Sequence, residues 1–307
     1  MYIPGTNSTI KKDVDVDTNF DLKALEEIVI RALDEDLGDG DITTEWTIST
    51  NAIAHAFFEA KQPGIISGLY PTGLVYKRVD SDLEFKPLLD DGDSVEPGQP
   101  IAEVRGAASS VLTGERTALN FLRHLSGIAT MTSEYANAIQ NTDTKIVDTR
   151  KTTPGLRILE KRAVVHGGGH NHRFGLYDMV LIKDNHIAAS GGIGPAVRLC
   201  RSNMKKAGKQ VDIEVETSDL AQVAQAVCHE ADWIMLDNMS DTQMSEAVQY
   251  IRANSPPHHP IIIEASGMIT LDRLKSVAKT GVQVISIGAL THSAPVLDIS
   301  LNIGPST

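Results

Sequence analysis

The feature that most constrains the fold is a repeated alternation between residues 140 and 290. Six short apolar or β-branched runs each end in polar residues or glycine, and helix-like segments separate them. This alternation predicts repeated βα units and a parallel sheet or barrel, because parallel strands need crossover connections. The six runs cover residues 146–147, 179–182, 211–215, 233–236, 261–264 and 284–287.

The residues that follow these runs predict a shared site. In a β/α barrel the carboxyl ends of the strands meet at one face, and active sites are built there. Exposure of these ends to solvent alone would not require a polar residue or glycine at all six of them. They are Asp148-Thr149-Arg150-Lys151, Lys183-Asp184-Asn185-His186, Glu216, Asp237-Asn238, Ser266-Gly267 and Gly288-Ala289.

The first 140 residues follow a different pattern, which predicts a second and smaller domain. Apolar spacing predicts helices over 22–33 and 109–130, and short β-like runs over 52–66 and 83–104 predict a small sheet. A chain of 307 residues can hold a large α/β domain plus a smaller one. We expect a polar tail over 1–20, a smaller domain over 21–130 and an α/β domain over 131–290.

The charge distribution predicts a small anionic ligand. Twenty-eight Lys and Arg against 40 Asp and Glu give a net charge of -12, which argues against nucleic-acid and membrane partners. Residues 145–186 are the exception, with eight Lys and Arg against four Asp and Glu, and with four of the ten histidines. A cationic pocket in an acidic protein favours a di- or tricarboxylate, a phosphate ester or a pyrophosphate.

Cysteine usage and hydropathy predict a cytoplasmic protein. Two cysteines, Cys200 and Cys228, cannot form the disulfide framework of a small secreted domain. Residues 1–20 have no apolar segment of the kind that a secretion signal contains, and no run of 18 apolar residues occurs.

Two carboxylates at the ends of adjacent runs predict a magnesium site. Glu216 and Asp237 offer the hard oxygen ligands with which Mg2+ is held through water and substrate oxygens. The alternative is that each carboxylate only caps the N-terminus of a helix.

Other metal and anion motifs are weaker. The acidic loop 36–41 is out of EF-hand register, so a solvated turn is favoured over calcium. His166, His170 and His172 could ligate zinc, although no cysteine assists them. The three glycines over 167–169 could bring backbone N–H groups close to an anion.

Six ordered motifs resemble the quinolinate phosphoribosyltransferase family, whose members are decarboxylating type II phosphoribosyltransferases of NAD biosynthesis. The resemblance covers residues 21 to 302. The motifs are Glu115-Arg116-Thr117-Ala118-Leu119-Asn120, Asp148-Thr149-Arg150-Lys151-Thr152-Thr153-Pro154-Gly155, Gly167-Gly168-Gly169-His170-Asn171-His172-Arg173, Leu181-Ile182-Lys183-Asp184-Asn185-His186, Glu214-Val215-Glu216 and Glu264-Ala265-Ser266-Gly267.

The resemblance implies an α/β fold, in which an irregular open α/β barrel accompanies a smaller α/β sandwich-like N-terminal domain joined by the C-terminal segment 291–307. It implies transfer of a phosphoribosyl group from phosphoribosyl pyrophosphate to quinolinate, giving nicotinate mononucleotide, pyrophosphate and CO2. It also implies a homodimer with shared active sites, and leaves open whether three dimers associate. Arg116 would reach the partner's site.

The resemblance also assigns roles to single residues. The quinolinate carboxylates would be held by Arg116, Arg150, His172, Arg173 and Lys183. The donor would be held by Lys151 and Lys183 at its pyrophosphate, by Glu216 and Asp237 near its ribose and Mg2+, and by Ser266, Gly267, Gly288 and Ala289 at its 5′-phosphate. The catalytic group would comprise Lys151, Lys183, Glu216 and Asp237.

Two other functions compete with this one. A related phosphoribosyltransferase could act on nicotinate or another ring acid, but it should lack part of the set Arg116, Arg150, Arg173 and Lys183, and all four are present. A non-catalytic phosphosugar-binding protein would bind the donor without turnover. Met268 departs from the family pattern, which has a small or polar residue after Ser-Gly in many members.

Overall fold

The computed structural model describes residues 22–304, and the expected polar tail over 1–20 lies outside this part of the chain. The chain forms two compact units. Unit 1 comprises the described residues up to Ser133, then Thr152–Asn171 and 291–304. Unit 2 comprises Glu134–Lys151 and His172–Leu290.

Unit 1 contains a four-stranded antiparallel sheet, a two-stranded antiparallel sheet and five helices. The helices are α1 (Leu22–Leu37), α2 (Ile42–Thr47), α3 (Leu69–Val79), α4 (Ala108–Ala138), whose last residues belong to unit 2, and α5 (Arg157–His166). The strands are β1 (Ile53–Ala60), β2 (Gly64–Ile65), β3 (Glu84–Pro87), β4 (Ser94–Val95), β5 (Pro100–Ala107) and, after the strands of unit 2, β12 (Ile299–Ile303). The two-stranded sheet consists of β2 and β4.

The four-stranded sheet of unit 1 has the order β12-β1-β5-β3, with antiparallel neighbours throughout. Alternate residues of β1 are buried because successive side chains of a strand point to opposite faces. Phe58 on the buried face lies 6.1 Å from Tyr76 and 6.2 Å from Phe85, ring centre to ring centre. This aromatic cluster forms part of the core of unit 1.

Close backbone packing fixes the glycine triplet at the end of α5. A Cβ atom at Gly167 would lie 2.3 Å from the carbonyl oxygen of Ala129 on α4, so only glycine fits. The three N–H groups over 167–169 donate to carbonyl oxygens of α5. The expectation that they could face an anion is therefore wrong.

Glu160 of α5 is a buried carboxylate of unit 1 with two partners. It accepts hydrogen bonds from Nε2 of His124 at 2.9 Å and from the backbone N–H of Thr153 at 3.0 Å. Burial would raise the pKa of Glu160, but these hydrogen bonds outweigh burial and lower it.

Unit 2 is built of alternating strands and helices. The strands are β6 (Lys145–Val147), β7 (Val180–Ile182), β8 (Ile213–Thr217), β9 (Trp233–Asp237), β10 (Ile262–Ser266) and β11 (Val284–Ser286). The helices are α6 (Asp184–Ser190), α7 (Ile193–Ala207), α8 (Leu220–Cys228), α9 (Asp241–Asn254), α10 (Leu271–Lys279) and α11 (Ala289–His292), whose last two residues belong to unit 1.

The six strands form one parallel sheet with the order β6-β11-β10-β9-β8-β7. The predicted α/β architecture is confirmed, and the linear strand order makes this sheet open. All six strands match runs predicted from the sequence. Local sequence motifs begin the helices of this unit, since Asp219 caps α8, Ser240 and Gln243 form a capping box on α9, and Thr270 precedes α10.

The units do not follow a single cut in the sequence. Residues 152–171 group with unit 1, whereas the sequence pattern placed them in the α/β domain. Within the acidic loop 36–41, Asp41 accepts a hydrogen bond from the backbone N–H of Thr44 and caps α2. No helix over residues 22–304 is long and apolar enough to cross a bilayer.

Candidate active site

Strand register brings the predicted site residues of unit 2 to one edge of the sheet. Ile182 pairs with Val215, and Ser266 pairs with Asp237. Ser286 pairs with Val147. The residues that follow each strand therefore leave the sheet at the same edge, as the alternation predicts.

Arg150 and Arg173 form a cationic pair at this edge. Nε of Arg150 is buried and has no hydrogen-bond partner among the described residues. Burial, followed by the nearby charge of Arg150, lowers the pKa of Arg173. One guanidinium nitrogen of Arg173 donates to the carbonyl oxygen of Met179 at 3.1 Å. Two adjacent guanidinium groups, one with an unpartnered buried N–H, fit a ligand with two carboxylates.

The backbone before Arg173 is tied to the end of β6. Asp148 is fully buried and accepts a hydrogen bond from the backbone N–H of His172 at 2.9 Å. The next N–H group, that of Arg173, donates to Nδ1 of the His172 ring at 2.8 Å. Both N–H groups of this segment are thus held by side chains.

The His172 ring lies between two buried glutamates. Its Nε2 atom is 3.1 Å from Oε2 of Glu214 and 3.1 Å from Oε2 of Glu264, and both carboxylates are inaccessible to solvent. The His172 side chain is only 7% exposed. Burial, and then the charge of Glu264, raises the pKa of Glu214 to about 7. Burial would lower the pKa of His172, but the charges of Glu264 and Glu214 outweigh burial and raise it well above its usual value.

Lys183 and Glu216 form an ion pair at the ends of neighbouring strands. Nζ of Lys183 donates to Oε2 of Glu216 at 2.7 Å. The Lys183 side chain is 44% exposed, so it can also turn toward a bound anion. The backbone N–H of Lys183 donates to Nδ1 of His186, which holds the start of α6.

The turns after β9 and β10 pack against each other. The backbone N–H of Asn238 donates to the carbonyl oxygen of Ser266, and its side chain donates to Oδ2 of Asp237 at 2.7 Å. Gly267 has φ +96°, and a Cβ atom there would lie 2.2 Å from Oδ1 of Asn238. Only glycine fits this turn, which leaves Ser266 beside Asp237.

The remaining predicted site residues lie in different parts of the fold. Gly288 lies between β11 and α11 at the same edge, and Ala289 is the first residue of α11. Lys151 follows Arg150 as an exposed residue. Arg116 lies in unit 1 as an exposed residue of α4. Its assignment to a partner's site stays a prediction.

Among the described residues, one group of three side chains has metal-ligand geometry. It comprises His172, Glu214 and Glu264, whose ligand atoms lie within 4.8 Å of one another. The histidines predicted as alternative zinc ligands do not form such a group over residues 22–304. His166 instead contacts Oγ of Ser67 at 2.8 Å through Nδ1.

Sequence reasoning gave no individual role to Glu214 or Glu264, and it named Asp148 only as one of the polar residues at the ends of the runs. A signal was present, because two glutamates stand inside runs that otherwise read as buried strands. A buried carboxylate requires a partner. The partner, His172, is far away in the sequence, so only the fold reveals the cluster.

The fold and the site together define a class of protein. An open α/β sheet carries, at the carboxyl edge of its strands, an arginine pair, a lysine–carboxylate pair and a glycine turn beside a serine. This arrangement is typical of an enzyme that acts on small anionic substrates.

Comparison with known proteins identifies the family. The N-terminal domain model of quinolinate phosphoribosyl transferase matches residues 41–126, and its C-terminal domain model matches residues 128–302. The chain belongs to the quinolinate phosphoribosyltransferase family.

Relatives and solved structures agree with this assignment. A mitochondrial decarboxylating quinolinate phosphoribosyltransferase of Nicotiana tabacum is 40% identical, over 92% of this chain and 82% of that one. A chloroplastic nicotinate-nucleotide pyrophosphorylase of the carboxylating type from Oryza sativa is also 40% identical, over 92% and 78%. The structure of the nicotinate-nucleotide pyrophosphorylase of Francisella tularensis superposes with a TM-score of 0.86 at 36% identity, covering 93% and 98%.

Proposed function

We propose that the chain transfers a phosphoribosyl group from phosphoribosyl pyrophosphate to quinolinate. The products are nicotinate mononucleotide, pyrophosphate and CO2, which places the reaction in NAD biosynthesis. The activities in the names of the relatives support this proposal.

The observation that carries the proposal is the pair of Arg150 and Arg173. Two neighbouring cations repel each other in the free protein, and that repulsion contributes to the lowered pKa of Arg173. A vicinal dicarboxylate such as quinolinate supplies two negative charges and relieves the repulsion. A monocarboxylate such as nicotinate supplies only one.

The first chemical step breaks the bond between C1′ of the ribose and the pyrophosphate oxygen. Positive charge develops at C1′, and the carboxylates of Glu216 and Asp237 stabilise it electrostatically. Lys151 and Lys183 stabilise the negative charge on the departing pyrophosphate. The turn that contains Ser266 and Gly267, together with Gly288 and Ala289, would receive the 5′-phosphate.

The second step forms the bond between the pyridine nitrogen and C1′. Arg150 and Arg173 hold the ring so that the nitrogen faces C1′, which replaces a bimolecular encounter by an oriented attack. The nitrogen then carries a positive charge, so the ring accepts the electron pair that the 2-carboxylate leaves behind as CO2. A proton replaces the carboxylate at that carbon.

The donor set suits Mg2+. Glu216 and Asp237 provide carboxylate oxygens at the ends of adjacent strands, although Lys183 already occupies one oxygen of Glu216. These two residues would hold the ion, which when bound neutralises the pyrophosphate charge.

We further propose a homodimer in which Arg116 completes the neighbouring site. The support is its exposed position on α4, where no ion pair with a described residue is formed, within a motif that resembles the family. The cytoplasmic location also remains a prediction, supported by two free cysteines.

The test is a product assay with purified protein, phosphoribosyl pyrophosphate, Mg2+ and either quinolinate or nicotinate. We expect equal amounts of CO2 and nicotinate mononucleotide from quinolinate, and no product from nicotinate. Turnover of nicotinate alone would favour the related enzyme that acts on ring monoacids. Donor binding without any turnover would favour the non-catalytic phosphosugar-binding protein.

A further inference from the structure

Asn238 directly follows β9, at the edge of the sheet where the proposed donor site lies. Its backbone is left-handed, with φ +54°. Asparagine adopts this conformation more readily than most residues because its short polar side chain can form local hydrogen bonds. The backbone N–H of Asn238 donates to the carbonyl oxygen of Ser266 at 3.0 Å. This bond holds the backbone, and the side-chain amide makes separate contacts.

The side-chain amide of Asn238 lies between Asp237 and the glycine turn after β10. Its nitrogen donates to Oδ2 of Asp237 at 2.7 Å. Its oxygen, Oδ1, faces Gly267, where a Cβ atom would lie only 2.2 Å from it. Glycine at this position therefore lets the turn pack against the amide oxygen. With the turn on one side and the carboxylate on the other, the amide is fixed in one orientation.

The hydrogen bond from Asn238 holds Asp237 without cancelling its charge. In the neighbouring pair, Lys183 donates to Oε2 of Glu216 and brings a positive charge to that carboxylate. An amide is neutral, so Asp237 keeps its full negative charge, and Asn238 occupies only one of its oxygens, Oδ2. An uncancelled negative charge attracts Mg2+ and stabilises positive charge that develops at C1′.

We propose that Asn238 is a positioning residue for the phosphoribosyl donor. Its amide, held by the Gly267 turn, fixes the Asp237 carboxylate and leaves Oδ1 of that carboxylate for the donor and its Mg2+. This inference rests on the proposed function. Asn238 acts through Asp237 and does not itself touch the donor. Recognition of quinolinate by Arg150 and Arg173 does not depend on it.

Asn238→Gly removes the amide and leaves the backbone in a conformation that glycine adopts readily. Hydrogen bonds to charged groups are the stronger ones, so the Kd for phosphoribosyl pyrophosphate with Mg2+, measured by calorimetry, should rise about tenfold or more. The Kd for quinolinate should change by about twofold or less. The matched control is Glu230→Gly, at an exposed residue of unit 2 with φ +55°, which should bind both ligands normally.

A double substitution tests whether Asn238 acts through Asp237. Asp237→Asn removes the carboxylate, so adding Asn238→Gly to that variant should change the Kd for the donor by about twofold or less. The full loss of about tenfold in this background would overturn the proposal, because Asn238 would then act on the donor independently of Asp237. Donor affinity within about twofold of normal in the single Asn238→Gly variant, or an equal loss of quinolinate affinity, would overturn it as well.

A crystal structure of the unsubstituted protein with phosphoribosyl pyrophosphate and Mg2+, without quinolinate, does not depend on the folding of a variant. It should show the amide nitrogen of Asn238 still bonded to Oδ2 of Asp237, and no atom of Asn238 within hydrogen-bond distance of the donor or the ion. A direct bond between Asn238 and either of them, or an Asp237 carboxylate turned away from the amide, contradicts the proposal.

The two hypotheses fail in different ways. If the protein binds the donor but releases no product, the proposed function fails, and the donor affinities of the variants still decide the role of Asn238. If turnover proceeds as proposed while Asn238→Gly binds the donor normally, only the positioning role fails. If the unsubstituted protein does not bind the donor, both hypotheses fail.

Discussion

Replacing Arg150 by methionine tests how quinolinate is recognised. Methionine keeps much of the length of the side chain but removes its charge and its hydrogen-bond donors. Loss of one partner from a buried, hydrogen-bonded charge pair costs roughly 2–5 kcal/mol of binding. A loss of about 3 kcal/mol raises the Kd for quinolinate about 150-fold.

The structure also predicts how this substitution affects the thermal stability of the protein without ligand. Arg150 and Arg173 are like charges in a partly buried site, and Nε of Arg150 has no partner among the described residues. Removing Arg150 should therefore leave the Tm unchanged or raise it. Most substitutions that impair function by damaging the fold would instead lower the Tm.

The assay is calorimetric titration of quinolinate and, separately, of phosphoribosyl pyrophosphate with Mg2+, combined with thermal unfolding. Arg198→Met, which removes an exposed arginine of α7, is the matched control and should bind both ligands normally. A quinolinate loss below about tenfold, or an equal loss of both ligands by a folded Arg150→Met protein, would refute the reasoning.

Three further outcomes follow from the structure. Gly267→Ala should lower the free energy of unfolding by at least about 1 kcal/mol more than Gly208→Ala, measured by urea denaturation, because both have positive φ but only Gly267 has a neighbour in the way. Equal losses would show that the close contact is unimportant. Mixing inactive Arg116→Ala and Arg150→Ala chains should restore part of the activity in an enzyme assay, and no recovery after confirmed subunit exchange would count against a shared site. Because the pKa of Glu160 is lowered in the fold, its contribution to stability is present above its unfolded pKa and is lost as the pH falls below about 5. Glu160→Gln should flatten that acid decline in the Tm, and an unchanged pH profile would contradict the assignment.

The parallel sheet could be predicted from the sequence because its strands are buried on both faces and read as short apolar runs. The cap of α9 was equally readable, since Ser240 and Gln243 form a local motif that needs no tertiary contact. Helix α4 is longer than predicted and continues to Ala138. Its C-terminal turns contain Thr132 and Tyr135, residues that packing rather than propensity keeps helical.

The site was predictable only in part. Lys183, Glu216 and Asp237 could be predicted from the sequence because each stands at the end of an apolar run, where the site residues of a βα fold are expected. The glycines over 167–169 led to a wrong prediction. Glycine allows close approach either to an anion or to another helix, and the sequence does not distinguish these two uses; in the structure the glycines pack against α4. The contacts of His172 depend on strands that lie about 40 and 90 residues away along the chain.

The last strand of the chain has a consequence for biosynthesis. β12 covers the outer edge of β1 over five residue pairs, yet nearly 240 residues separate the two strands in the sequence. During translation the edge of β1 that β12 covers therefore stays unpaired until β12 itself has been synthesised, after all six strands of unit 2. An uncovered edge strand is a site where chains associate wrongly. The order in which the strands are synthesised thus differs from the order in which the N-terminal sheet is completed, because the strands of unit 2 are made between β1 and its edge partner β12.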